Sequence, residues 1–196
     1  MPEYSRKKKD QAVNLETLMG NNPPQALDVE AAVLGAMLVE PSVIDESMEE
    51  LTASCFYDPK HRMIFEAMTR LVTDHTSVDI ITVSSELKAQ GNLEAVGGTV
   101  VLANLSEKVG SAAHIEYYVK ILKQKTIQRD LISASYDILR DSFDDSIKVD
   151  DLIDNAQSKV YAAIQSNVRR EVQDIGSLIN IAMTDIQDMQ GSTGLN

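Results

Sequence analysis

The chain has few of the residues that mark disulfide-stabilised or nucleotide-binding proteins. Its 196 residues include no tryptophan, one cysteine and nine glycines. The lone cysteine, Cys55, excludes an internal disulfide framework and is typical of a small buried side chain in a reducing compartment. No glycine precedes a lysine, so the sequence lacks a P-loop for ATP phosphates, and it also lacks the G-x-G-x-x-G dinucleotide motif.

Metal-ligand spacings are scarce as well. The three histidines are far apart in sequence, and Asp58-x-x-His61 is better explained as a helix cap followed by a surface histidine. One acidic stretch lacks the glycine and the final glutamate of an EF-hand, so we predict the solvated tip of a helical hairpin. It contains Asp141, Asp144, Asp145, Asp150, Asp151 and Asp154. We therefore expect no catalytic, cofactor-binding or metal site in this segment.

Positive charge and long apolar runs are also in short supply. The net charge is −12, and such an acidic surface repels the phosphate backbone of DNA. The longest apolar run, residues 31–39, is too short to cross a bilayer, and no apolar run follows the basic Arg6–Lys9 as in a signal peptide. We expect a soluble, cytoplasmic protein with no membrane partner. Arg6–Lys9 is predicted to be a solvated tail, with a nucleic-acid contact as the alternative.

Helical periodicity is what the sequence does contain. Residues 1–22 are polar and are predicted to form a mobile arm, whereas residues 23–107 contain short amphipathic segments that predict a compact helical head. Start signals are Asp58-Pro59 and Asp79 with Thr82, and Gly91 is an end signal. Gly97-Gly98 introduces one more short helix.

Residues 108–166 are predicted to form a long antiparallel hairpin of two helices. Ile115 to Leu139 contain neither Pro nor Gly, residues 141–150 break the pattern, and a second helix follows. The apolar residues of that helix expected to face inward are Ile153, Ala156, Val160 and Ile164. Because two helices lack a complete core, the outer apolar residues need a partner, most simply a second copy. The self-association candidates are Ile127, Leu131, Ile138, Ile153 and Val160.

Two other surfaces have a predicted role. A modest basic run is either a solvated face or a contact with an acidic neighbouring subunit or partner, and it consists of Lys120, Lys123, Lys125 and Arg129. Residues 167–196 are predicted to be a linker with a helix at 175–190. Its narrow apolar seam consists of Ile175, Ile179, Ala182, Ile186 and Met189. An isolated helix of about 15 residues is marginal in water, so this seam is expected to dock in a groove elsewhere.

A set of short segments in fixed order carries a family resemblance. They are Pro23–Glu30, Phe56-Tyr57 with Pro59, His61 and Ile64-Phe65, Val78-Asp79 with Thr82-Val83, Gly97-Gly98, and Ser111-Ala112-Ala113. The ordered set resembles the start of the bacterial replicative DNA helicases, the DnaB family, and the resemblance runs from about Pro23 to Leu195. The expected fold is all-α, with a small globular bundle, a long hairpin and a linker helix.

The resemblance implies a function in assembly. In this family, six N-terminal collars pair through their hairpins into a trimer of dimers, and the linker helix docks on the motor of the adjacent subunit. ATP, Mg and single-stranded DNA would then be bound by a C-terminal motor, which is absent here and is expected after Gly191–Leu195. The implied partners are further copies, primase and the helicase loader.

Primase contacts are implied at four matching positions, Asp28, Val101, Ile132 and Ile138. The family often has tyrosine where Val101 stands, which weakens the expected contact there. The main alternative function is a free-standing helical scaffold or adaptor without a motor. A third is a small helical enzyme whose ionisable residues converge only on folding.

Overall fold

The computed structural model describes residues 22–107 and 114–168, with side chains to residue 165, and these parts are helical with no strand. The helices are α1 (Leu27–Val39), α2 (Ile44–Glu50), α3 (Pro59–Thr73), α4 (Ile80–Ala89), α5 (Leu93–Val96), α6 (Thr99–Glu107), α7 (Ile115–Ser142) and α8 (Val149–Val168), with 3-10 turns at Pro41–Val43 and Ala53–Cys55. The predicted all-α class is confirmed. The Arg6–Lys9 run, the start of the predicted hairpin at 108–113 and the linker seam from Ile175 to Met189 lie outside the described residues.

Helix α1 is the centre of the head, which comprises α1 to α6. Its sequence is apolar on nearly every side, and residues 30, 31 and 33–38 are all buried. A helix that is apolar all round is typical of a core position rather than a surface. It contacts α2, α3, α6 and α7. The amphipathic pattern predicted for residues 23–107 therefore underestimates how much of this helix is covered.

The head helices begin and end where local capping chemistry predicts. Asp58 accepts a hydrogen bond from the Lys60 backbone N–H (2.8 Å) at the start of α3, with Pro59 in the first turn. Asp79 caps α4, and the Thr82 hydroxyl accepts from the Asp79 N–H in return (3.0 Å). Gly91 ends α4 with φ of +74°, in the left-handed region that favours glycine.

One continuous stripe of α7 joins the head to the hairpin, which comprises α7 and α8. Its N-terminal half is buried in the head through Ile115, Val119, Leu122 and Thr126. Ala134 continues the stripe where α8 packs. This side of α7 therefore packs on the head along its first half and on α8 along its second half. The second half of α7 projects from the head together with α8.

The Asp79 cap yields a prediction on stability. Asp79→Ala is expected to lower the free energy of unfolding by about 1 kcal/mol. The backbone N–H groups of Ile81 (2.8 Å) and Thr82 (2.9 Å) would lose their acceptor. Asp79→Asn is the matched control, because asparagine caps nearly as well as aspartate. Urea unfolding followed by circular dichroism measures both variants. Equal losses in the two would contradict the capping role.

The same carboxylate makes stability depend on pH. The Thr82 N–H that donates to it is the main reason that the pKa of Asp79 lies below its ordinary value. Because the folded pKa is the lower one, the stabilisation is complete above the ordinary aspartate pKa and is lost as pH falls through the lowered value. Over that acid range the stability of wild type should fall relative to Asp79→Asn, because the asparagine side chain does not titrate. A stability difference between the two that does not change with pH would contradict this assignment.

Candidate interaction surfaces and the joint that positions them

A buried carboxylate organises the head beneath the hairpin. Glu30 of α1 is fully buried and accepts hydrogen bonds from the backbone N–H groups of Tyr57 (2.7 Å) and Asp58 (3.2 Å). Nδ1 of His61 donates the third, at 2.8 Å. A buried carboxylate without partners would cost several kcal/mol, so these three donors tie the 56–58 loop and α3 to α1. The prediction that His61 is a surface histidine is wrong, because its side chain is only 13% exposed.

Arg129 of α7 fastens the hairpin to this same region. Its guanidinium donates to the backbone carbonyls of Pro24 (3.0 Å), Ser54 (2.9 Å) and Cys55 (3.1 Å). It also lies 6.0 Å from the centre of the Tyr57 ring. Burial lowers the pKa of Arg129, and the nearby Glu30 charge opposes that shift. The fixed fork of the guanidinium suits it to holding several carbonyls at once.

A second polar contact reinforces this joint between head and hairpin. Lys123 of α7 pairs with Glu50 of α2, and the Lys123 side chain is only 15% exposed. Lys123 and Arg129 thus bind the chain's own head, and neither of the two predicted roles for the basic run holds for them. Lys120 is exposed and Lys125 contacts Gln128, so the solvated-face prediction fits that part of the run.

The outer side of α8 carries an exposed apolar stripe. Val149, Ile153, Val160 and Ile164 are 69, 49, 40 and 43% exposed. The prediction that Ile153, Val160 and Ile164 face inward is therefore wrong within the single chain. The adjacent stripe packs on α7 instead, and it consists of Leu152, Ala156, Lys159 and Ala163. Small alanines bring the two helices close together, which leaves the larger apolar residues outside.

The outer stripe borders a shallow surface depression. It has a volume of about 440 Å³ and is lined by Ala156, Gln157, Val160, Tyr161 and Ile164. The self-association candidates of α7 lie next to the side of α7 that contacts α8. Ile127, Leu131 and Ile138 are half-buried in the single chain. Exposed aliphatic residues next to a ring that is 63% exposed, as Tyr161 is, have the composition of a protein interface.

The four positions implied for primase lie on two parts of the molecule. Asp28 is exposed in the first turn of α1, and Val101 of α6 is half-buried, with its side chain packed over Gly97. Ile132 and Ile138 are half-buried on the projecting half of α7. These two isoleucines are six positions apart, which places them about 120° apart around the helix. Their role as a common contact surface stays a prediction.

Two apolar features of the surface were missed from the sequence. At the tip of the hairpin, Phe143 is 81% exposed and Leu139 is 56% exposed. In the head, a groove of about 530 Å³ lies between α2, the second 3-10 turn and α3. The half-buried Met48, Ala53 and Val72 line it over the buried Leu51 and Phe65. Phe143 is one of three phenylalanines and stands among Ser and Asp in the sequence, and that contrast could have identified it.

The acidic stretch predicted at the hairpin tip spans the end of α7, the connecting loop and the start of α8. Asp141 binds Lys159 of α8 and also Arg140, and the Lys159 hydrogen bond is the main reason that the pKa of Asp141 is lowered. Asp144 accepts from the backbone N–H and the hydroxyl of Ser146. Within residues 22–107 and 114–168, no three His, Cys, Asp or Glu residues are grouped so that they could hold a metal ion. Nor does any helix of these ranges have the length and apolar character to cross a membrane.

The sequence is similar to one family of bacterial DNA helicases. Residues 22–124 match the family model described as the DnaB-like helicase N terminal domain. The chain is 32% identical to the replicative DNA helicase DnaB of Rhodothermus marinus over 195 residues, which are 96% of this chain and 20% of that protein. It is 35% identical to the DnaB of Geobacillus stearothermophilus over 156 residues, 78% of this chain and 34% of that protein. The chain thus spans between a fifth and about a third of these curated relatives.

Solved structures agree with the sequence comparisons. The N-terminal domain of DnaB helicase from Mycobacterium tuberculosis is similar with a TM-score of 0.68 and 32% identity, over 71% of this chain and 99% of that chain. A DnaB-like replicative helicase, described with its interactions with primase, has a TM-score of 0.58 and 24% identity, over 80% of this chain and 34% of that chain. The second likeness supports the fold alone.

The buried carboxylate gives a prediction about the joint. Glu30→Ala is expected to lower the free energy of unfolding by about 3 kcal/mol, because two backbone N–H groups and His61 lose their acceptor in a buried site. Amide hydrogen exchange at Tyr57 and Asp58 should become faster. Glu66→Ala, at an exposed position of α3, serves as the control and should change stability by less than about 0.5 kcal/mol. Unchanged exchange at both amides would refute the assignment.

Proposed function

The chain belongs to the family of DnaB-like helicase N-terminal domains, and from this membership we propose that it is the collar of a hexameric replicative DNA helicase. The collar would hold the motors of neighbouring subunits in a ring and offer primase a docking surface. Unwinding of DNA, with ATP and Mg, would belong to a C-terminal motor that also binds single-stranded DNA. We further propose the helicase loader as a partner and the bacterial cytoplasm as the site of action.

One observation carries the assembly role, and it is the exposed apolar stripe of α8. A helix of 20 residues that turns Val149, Ile153, Val160 and Ile164 outward would be poorly soluble unless another protein covered that side. A second copy is the simplest partner, because the same stripe on both copies makes a two-fold contact. The half-buried Ile127, Leu131 and Ile138 of α7 would extend that contact.

The charge along α8 favours an antiparallel arrangement of the two copies. Asp150, Asp151 and Asp154 make its N-terminal end acidic. Parallel pairing would set the acidic ends of the two copies side by side, whereas antiparallel pairing separates them. Avoiding repulsion between like charges selects the orientation of a complex more than it adds to affinity.

A free-standing adaptor would share the hairpin and its outer stripe, so the motor decides between the two functions. A Gly-Lys-Ser/Thr phosphate-binding motif encoded downstream of Asn196 would support the helicase collar. A gene without such a motif would support the adaptor.

The pairing surface gives a prediction on association. Ile153→Asp is expected to weaken self-association by about 2 kcal/mol or more, on the order of 30-fold, because the pairing would bury an unpaired charge. Light scattering coupled to size-exclusion chromatography measures the mass. Ile81→Asp is the matched control, since Ile81 is 80% exposed on the head. A wild-type chain that remains monomeric at high concentration would contradict the pairing, as would equal effects of the two substitutions.

Primase docking gives a separate prediction. Asp28→Lys is expected to weaken binding of the C-terminal helical domain of primase by about tenfold, a typical cost for a charged contact residue at an interface. Asp45→Lys is the control, because Asp45 is also exposed in the first turn of a head helix. Calorimetric titration of each variant would measure the affinity. If primase bound both variants as tightly as wild type, Asp28 would not be a contact.

A further inference from the structure

A ring needs a second contact besides the pairing of outer stripes. A two-fold contact uses the same surface on both copies and stops at a dimer. Dimers join into a closed ring only through another interface, and two different surfaces can provide it. The described part of the chain presents two such surfaces, the apolar tip of the hairpin and the apolar groove of the head.

We propose that the hairpin tip of one copy docks in the head groove of another copy. The tip consists of Leu139 and Phe143, and Phe143 is the more exposed of the two. This inference rests on the proposed ring assembly and names the contact that would join its dimers. It assigns the groove to a second copy of this chain rather than to another protein.

The hairpin tip cannot reach the groove of its own head. Arg129 is fixed to the head, and α7 continues from there to Ser142. At 1.5 Å per residue, the tip lies about 20 Å beyond that anchor. The stripe that joins α7 to the head and to α8 keeps the tip pointing away, so only another molecule can bring a groove to Phe143.

The groove has the size and chemistry to receive this tip. Its volume of about 530 Å³ lies in the range of pockets that bind small molecules, roughly 300 to 1,000 Å³, and so has room for a phenylalanine ring and a neighbouring side chain. The half-buried Met48, Ala53 and Val72 form its apolar part over the buried Leu51 and Phe65. Its polar edge is formed by Thr52, Thr69 and Thr73. An exposed phenylalanine ring with an adjacent leucine is the kind of group that such an apolar part covers.

Charges at the two surfaces are complementary on one side. Asp144 and Asp145 follow Phe143 directly, and Arg70 lies at the groove in the last turn of α3, where it is exposed. Glu66 lines the groove one turn earlier, so the acidic side of the tip would be directed to Arg70 and away from Glu66. A rim ion pair of this kind sets the orientation of docking.

The first test removes the ring of Phe143. Phe143→Ser should leave dimers intact but weaken their association into larger assemblies by about tenfold, as measured by light scattering over a range of concentrations. Ile81→Ser is the control, because Ile81 is exposed to nearly the same extent, 80% against 81%. If Phe143→Ser assembled like wild type, or if wild type formed nothing larger than a dimer, the tip contact would be overturned while the pairing of α8 stripes remained.

The second test exchanges the rim charges. Arg70→Asp and Asp145→Arg should each weaken assembly beyond the dimer, and combining them in one chain should restore most of it. Lys88→Asp is the control for Arg70→Asp, since both residues are basic and lie in the last turn of a head helix. Absence of recovery in the double variant would count against the proposed orientation and hence the docking.

The third test detects the contact directly. Phe143→Cys and Thr69→Cys chains, each unable to form this bond alone, should become disulfide-linked when mixed under an added thiol oxidant. Cys55 does not compete, because it is only 2% exposed. A mixture of Phe143→Cys with Lys88→Cys gives the background of random collisions. Equal linkage in the two mixtures would overturn the proposal. It would also be overturned if Arg70→Asp weakened primase binding but left assembly unchanged.

Discussion

The fold depends most on how one buried carboxylate is satisfied. Glu30 lies in a helix whose other buried residues carry no charge, so its buried carboxyl group must receive hydrogen bonds from elsewhere. The donors come from the 56–58 loop and from His61, and the positive Arg129 lies close enough to interact with it. The result is that α1, α3 and α7 have fixed positions relative to one another at the point where the hairpin leaves the head.

One buried stripe of helix α7 packs first on the head and then on α8. Its first half completes the core of the head through Val119 and Leu122, and its second half supports α8 beside Ala134. A helix pair can bury only one face of each partner, so α8 retains an uncovered side however well it packs on α7. The exposed Ile153 and Val160 are the consequence of that geometry. This is why the surfaces for assembly lie on the hairpin and the polar anchors lie at its base.

Features set by near neighbours in sequence could be predicted, and those set by folding could not. The caps at Asp58 and Asp79 follow from residues two or three positions away, so their pattern is visible in the sequence. The Glu30–His61 pair joins residues 31 positions apart and becomes apparent only in three dimensions. The orientation of α8 does not follow from periodicity, because its sequence contains two neighbouring stripes that could face α7. The more apolar stripe is the one predicted inside, but the stripe with the alanines packs on α7.

The polar contacts between head and hairpin matter because a small rotation at the base of the hairpin gives a large displacement at its tip. Apolar packing is not directional, whereas hydrogen bonds have preferred distances and angles. At a tip about 20 Å from Arg129, a rotation of about 10° at the joint moves Phe143 by about 3.5 Å, more than the length of a hydrogen bond. The three carbonyls held by Arg129 and the Lys123–Glu50 pair restrict that rotation. A ring closed by contacts at the hairpin thus requires polar anchors at its base as much as apolar residues along its length.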